Sequence, residues 1–254
     1  MKTRFLLFII ALVAIGQRTA AANPDGSSIP AEVTTQGYTR VIFQDDFTGL
    51  DLDTPGKQAN TWYNALWYQN PRPASQIQAT DGILTITTPP GNTETPITTV
   101  PRRGGGGVTF HHGFFEARMR FANDDLDWSA FWLFSRPHSL GTDNDHWCEI
   151  DVFENFGPNL FVGSVHDWTK KTHVRNTNAR YKFPHNVDFS TWHNYGLLWT
   201  PEKLTWFFDS VPVIEAKPPE ICEQQDMFLI LGSYKHKDGP QHQLDVDWVR
   251  VLSR

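Results

Sequence analysis

From Tyr38 onward, short runs of β-branched and aromatic residues recur between Pro, Gly, Asn and Asp, and no stretch of twelve residues keeps a helical apolar stripe free of Pro or Gly. This punctuation limits the chain to strands. The runs at 82–88, 113–121, 129–134, 160–165, 194–199, 204–208, 227–231 and 244–251 are each of strand length. Many short strands at near-regular spacing predict an all-β sandwich or jelly roll with little helix. The 254 residues suit one large domain, although length alone leaves a two-domain split open. With 18 Phe, 10 Trp and 6 Tyr the chain is too aromatic for disorder. No internal repeat is visible.

Lys2 and Arg4 precede an uninterrupted apolar run from Phe5 to Ile15, and Ala20-Ala21-Ala22 follows. This reads as a signal peptide over residues 1–22, because a membrane-spanning helix needs about twenty apolar residues. The expectation is a secreted or periplasmic protein with no membrane attachment once the signal is cleaved. Residues 23–37 are small, polar and turn-forming, as in a linker or a surface arm, and the domain proper runs 38–254. The formal net charge is −6, the opposite of the balance a nucleic-acid binder shows. Cys148 and Cys222 are the two cysteines, and export leaves two outcomes open, a disulfide or two buried thiols.

Alternation along the run at 114–121 puts Phe115, Ala117, Met119 and Phe121 on one face, with Phe114, Glu116, Arg118 and Arg120 on the other, toward water or a cleft. Along 128–134 it groups Trp128, Ala130, Trp132 and Phe134 opposite Ser129, Phe131 and Leu133. If the second group is core, the first is an aromatic floor. The segment Trp147-Cys-Glu-Ile-Asp-Val-Phe-Glu-Asn-Phe-Gly157 embeds three carboxylates in an apolar run, a costly placement unless they have a task. In a regular strand Glu149 and Asp151 share a face and Glu154 points away. One β-bulge at Val152-Phe153 returns Glu154 to that face. Paired carboxyls on one face suit a retaining glycosidase, with one nucleophile and one general acid/base. Three carboxylates this close cannot all ionise cheaply, so the cluster should retain a proton near neutral pH. Solvated surface acids and a calcium site are the plainer alternatives.

Glu149-Ile-Asp151-Val-Phe-Glu154 resembles the signature of glycoside hydrolase family 16 in its bulged form, which is similar to laminarinases, agarases and carrageenases. The resemblance spans roughly Tyr38 to Arg254, through Phe43-Gln-Asp-Asp-Phe47, Gly113-Phe-Phe-Glu-Ala-Arg118, Trp128-Ser-Ala-Phe-Trp-Leu133, 191–209 and 245–251. It implies a concanavalin-like β-jelly roll of two antiparallel sheets with an open cleft, and endo-attack on a polysaccharide. It also implies Glu149 as nucleophile, Glu154 as acid/base and Asp151 as the carboxylate that tunes Glu149. Trp128 and Trp132 match sugar-stacking positions, with Trp147 and Trp168 as further substrate-binding candidates. Trp192, Trp199, Trp206 and Trp248 read as core. His166 resembles a cleft histidine, against a structural role. A structural calcium, where the family carries one, would take Asp46, Gly82 and Asp247. No other cofactor is implied, and a monomer is expected.

His111 and His112 suggest a metal, but adjacent side chains in a strand point apart and no partner spacing supports zinc. Gly104–Gly107 lacks the ending of a phosphate loop and reads as a loop beside the cleft. Arg72, Arg102, Arg103, Lys170, Lys171, Arg175 and Arg180 fall in plausible cleft loops, where Arg forks would suit sulfate or carboxylate, unless they are merely solvated. The substrate therefore stays open between a β-1,3-glucan and a charged algal galactan. Two other functions stay open as well: a lectin-like polysaccharide binder on the same fold, and a transglycosylase.

Overall fold

The computed structural model describes residues 22–53, 59–91, 94–170, 173–175, 180–236 and 239–254. The expected signal peptide lies outside them except for Ala22, and so does Lys171; of Arg175 only the backbone is described. Among the described residues fifteen strands carry the fold: β1 Arg40–Asp45, β2 Ile77–Thr80, β3 Ile83–Thr88, β4 Glu94–Thr98, β5 Gly113–Phe121, β6 Asp127–Ser135, β7 His146–Glu154, β8 Leu160–Thr169, β9 His173–Arg175, β10 Arg180–Lys182, β11 His193–Trp199, β12 Leu204–Phe208, β13 Val211–Ala216, β14 Met227–Lys235 and β15 His242–Ser253. Among the described residues helix is confined to Ala31–Thr35, Arg136–Ser139 and two 3₁₀ turns, Ala74–Gln76 and Glu220–Gln224.

The strands form two antiparallel sheets. The outer sheet runs β13-β12-β11-β5-β15-β3-β2 with β1 added against β15, and the cleft sheet runs β10-β8-β7-β6-β14-β4 with β9 added against β8. Two tight hairpins show how local sequence sets this order. Asp81 (φ 53) with Gly82 (φ 76), and Asp209 (φ 46) with Ser210 (φ 66), take left-handed conformations at both central positions. That geometry matches the twist of the strands they join.

Between the sheets lies one large apolar core to which alternate residues contribute. Phe115, Ala117, Met119 and Phe121 of β5 meet Phe131 and Leu133 of β6 and Cys148 and Ile150 of β7 there. Trp199 and Trp206 are buried in the same core, and Trp248 is buried as well. Trp192 is a correction: it is partly exposed, with the Arg120 guanidinium 4.6 Å and that of Arg118 5.2 Å from its ring.

The second face of β5 also departs from expectation, since Phe114 and Glu116 meet neither water nor a cleft. Residues 22–38 close over them. Ile29, Val33 and Tyr38 bury a satellite cluster with Phe114, Leu198, Phe207 and Leu252. Beneath the same segment Arg250 pairs with Glu116 at 3.3 Å, both 1% exposed, and also donates to Asn23 Oδ1. Burial pushes the Glu116 carboxyl up to about 8, against the pull of Arg250. Cys148 of β7 and Cys222 of the second 3₁₀ turn form a disulfide, Cα to Cα 5.0 Å, which decides between the two outcomes left open above.

Candidate active site

The site begins with a count along β7. On the β6 side Trp132 pairs with Asp151 and Phe131 with Phe153, so Val152 is extra. On the β8 side Asp151 pairs with Ser164 and Glu154 with Val162, so Val152 and Phe153 together oppose Gly163 alone. This is the bulge the sequence called for, and both of its residues are buried in the core. A feature not foreseen holds it in place. Trp206 of β12 reaches across the core and donates its indole N–H to the Asp151 carbonyl at 2.8 Å. Gly163 makes room for that ring, because a Cβ there would stand 2.3 Å from Trp206 Nε1.

With the bulge in place, Glu149, Asp151 and Glu154 line one pocket of about 180 Å³ with Trp128, Ala130 and Trp132. Phe134, expected in the same floor, is instead covered by Trp67, which stacks on it at 4.1 Å. Each outer carboxylate takes an indole N–H, from Trp168 to Glu149 Oε2 at 3.1 Å and from Trp128 to Glu154 Oε1 at 3.0 Å. Two of the tryptophans expected to bind substrate, Trp128 and Trp168, therefore orient the acids. His166, paired opposite Glu149 on β8, lies 2.9 Å from Asp151 Oδ2 and 3.8 Å from Glu149 Oε1. Burial first, and then the Asp151 charge, push the Glu149 carboxyl up to about 8. Its side chain keeps 19% of its surface open.

Beyond Glu149 the aromatic row continues away from the pocket. Trp168 and Trp147 are nearly parallel, with centroids 6.3 Å apart. Trp147 stacks on His138 at 3.9 Å, and His138 meets Trp67 edge-on at 6.1 Å. A second pocket opens there, lined by Trp67, Arg102, Arg103, His138 and Asn144 among others, and none of its lining residues is acidic. The Gly104–Gly107 loop borders it, fixed by the Arg136 guanidinium on the carbonyls of Pro101 and Gly104. Of the other expected cations, Arg72 lies 3.8 Å from Glu94, which lines the acidic pocket, Lys170 lies 3.5 Å from Asp145, and Arg180 lies over the Phe156 ring.

Tyr68, Glu94 and Tyr234 complete the acidic pocket and were missed. Tyr234 was findable, since alternation on β14 groups it with Phe228, Ile230 and Gly232, and it pairs with Trp128 and accepts the Trp132 indole N–H at 3.1 Å. Tyr68 sits outside any strand and gives no periodic signal; its hydroxyl meets Glu94 at 3.2 Å. As for calcium, Gly82 lies against the Asp46 carbonyl, 3.6 Å from where a Cβ would stand. Asp247, however, gives its carboxylate to Arg118 at 2.5 Å, and Asp46 Oδ1 accepts from the Thr48 hydroxyl at 3.0 Å. A guanidinium bound to the would-be ligand Asp247 does not fit a cation site.

Carboxylates sharing one face of a cleft strand, oriented by indoles and floored by aromatic rings, define a β-sandwich of the glycoside hydrolase class. The chain belongs to the glycosyl hydrolases family 16, whose family model matches residues 74–250. It is 28% identical to endo-1,3-1,4-beta-glycanase EglC of Rhizobium meliloti (strain 1021) over 95% of this chain and 58% of that protein. It is 29% identical to endo-1,3-1,4-beta-glycanase ExsH of the same organism over 81% of this chain and 45% of that protein. The chain thus spans about half the length of these relatives. In fold it is similar to the endo-beta-1,3-glucanase from Pyrococcus furiosus, with a TM-score of 0.64 and 20% identity over 84% of this chain and 94% of that one.

Proposed function

We propose that this chain is an exported, endo-acting retaining glycoside hydrolase that cleaves β-1,3 or mixed β-1,3-1,4 linkages in a glucan. The observation that carries the reading is the bulged β7, which brings Glu149 and Glu154 to one pocket with a separate indole donor on each. In the first step the Glu149 carboxylate attacks the anomeric carbon, the bond to the leaving oxygen breaks, and Glu154 gives that oxygen its proton. In the second, water attacks the glycosyl ester, Glu154 takes the water's proton, and Glu149 is released as a carboxylate. The proton held by the Glu149–Asp151 pair must rest on Asp151 when Glu149 attacks. His166, 2.9 Å from Asp151 Oδ2, holds that carboxyl in place beside Glu149. Trp128 and Trp132 supply apolar ring faces for the C–H faces of the sugars.

The test is release of new reducing ends from laminarin and mixed-linkage glucan by the wild type, Glu149→Gln and Glu154→Gln. The reading requires activity that both substitutions reduce by orders of magnitude. Polysaccharide binding by an inactive wild type would favour the lectin-like alternative. A second substrate reading rests on the acid-free pocket at the end of the aromatic row, where Arg102 and Arg103 suit a carboxylate or sulfate substituent. If the polymer is anionic, Arg102→Gln with Arg103→Gln raises KM on it while leaving laminarin turnover unchanged. Equal effects on both polymers would remove that reading.

A further inference from the structure

Away from the cleft, His111, His112 and Glu223 each bring a donor atom to within 4.8 Å of the other two. The argument that adjacent histidines point apart holds within a strand, and these two lie just before β5. There Phe110 makes an isolated bridge to Met227, and His112 takes φ 62. A left-handed backbone is unfavourable for a residue with a Cβ. Its result here is that the two imidazoles lie side by side, ring centroids 4.4 Å apart, on the same side of the chain.

The remaining donor comes from the 3₁₀ turn Glu220–Gln224. Glu223 Oε1 accepts the Trp199 indole N–H at 3.0 Å, which leaves Oε2 directed at His112 Nε2, 2.7 Å away. The residue before it, Cys222, is tied to β7 by the disulfide, so the carboxylate is presented from an anchored turn. Asp226 Oδ1 lies 3.4 Å from His111 Nδ1. Two imidazoles, a carboxylate oriented by a buried indole, and a second carboxylate behind one histidine make up a ligand set with its outer supports.

We propose that His111, His112 and Glu223 bind a divalent transition-metal ion of the zinc type, at a site separate from the cleft. Imidazole nitrogen and carboxylate oxygen suit zinc, and three protein ligands leave a fourth tetrahedral position for water. The ion would join the segment entering β5 to the 3₁₀ turn on the disulfide, and so add to stability.

The second donor set, Glu149, Asp151 and His166, lies in the cleft, so the experiment must separate the two. Zinc chloride is titrated calorimetrically into the whole protein, and thermal unfolding is followed with and without zinc, for wild type, His111→Ala, His112→Ala and the double variant. His111 is exposed, so its replacement leaves the fold intact even if His112→Ala does not. The expected result is saturable binding and a zinc-dependent rise in Tm for the wild type. Each single variant should bind at least tenfold more weakly, and the rise should be lost in the double variant. No saturable binding by the wild type, or undiminished binding by His111→Ala and the double variant, would overturn the assignment. Neither readout depends on polysaccharide cleavage, so the result stands apart from the function proposed above.

Discussion

Replacing Glu149 by Gln should make the protein more stable while removing its activity, and the gain should grow with pH. Glu149 carries a carboxyl raised from 4.5 to about 8 by burial and by Asp151. Between those two values the folded chain binds more protons at this position than the unfolded chain, so wild-type stability falls as pH rises through the window. The neutral amide does not titrate and escapes the loss. For a single site with these two values, the cost of ionisation to the wild type is about 1 kcal/mol at pH 5 and about 3 kcal/mol at pH 7. The 19% of the side chain open to water makes these upper values. Gln retains a carbonyl oxygen for the Trp168 indole N–H, so the hydrogen bond seen at 3.1 Å survives the change. Urea unfolding of both proteins at pH 5 and pH 7 measures the difference, with reducing-end release run alongside. A stability gap that stays constant or narrows toward pH 7 would refute the shared-charge account of this carboxylate pair.

Three further outcomes follow from the packing around β7. Trp206→Phe removes the donor to the Asp151 carbonyl and should cost about 1–3 kcal/mol, with kcat falling more than KM as the bulge loosens; unchanged kcat would show that the bulge holds without it. Gly163→Ala puts a Cβ against the Trp206 indole, an overpacking expected to cost roughly 1–3 kcal/mol, and full stability in thermal unfolding would contradict the observed fit. Cys148→Ser combined with Cys222→Ser opens a link across 74 residues; the chain-entropy model puts the loss near about 4 kcal/mol, readable as a lowered urea midpoint.

The strand content and the facing of the acids were legible because each rests on a period of two and on the cost of burying charge. The bulge followed from the same arithmetic: five positions from Glu149 to Glu154 cannot share a face without one extra residue. What the sequence hid were contacts that cross between sheets. Trp206 reads as a core residue, and it is one; its indole nitrogen is also what fixes β7, and nothing near position 206 announces a partner at position 151. Tyr68 likewise reaches the cleft from outside any strand, where no alternation exists to read. The approach of the two histidine rings was not legible either, because strand geometry sets adjacent side chains apart and the left-handed backbone at His112 departs from it.

The place of β15 bears on the order in which this molecule can be assembled. The last strand of the chain lies between β5 and β3 and also pairs with β1, with Arg40 opposite Ser253. Without β15 the outer sheet falls into three parts, β13-β12-β11-β5, β3-β2 and β1, and the core beneath it has no continuous cover. Closing the outer sheet therefore depends on pairings distant in sequence, such as Arg40 with Ser253, which form slowly and leave apolar strand edges open to aggregation until they do. Loss of residues 249–253 would remove strand from the middle of the sheet rather than from its edge.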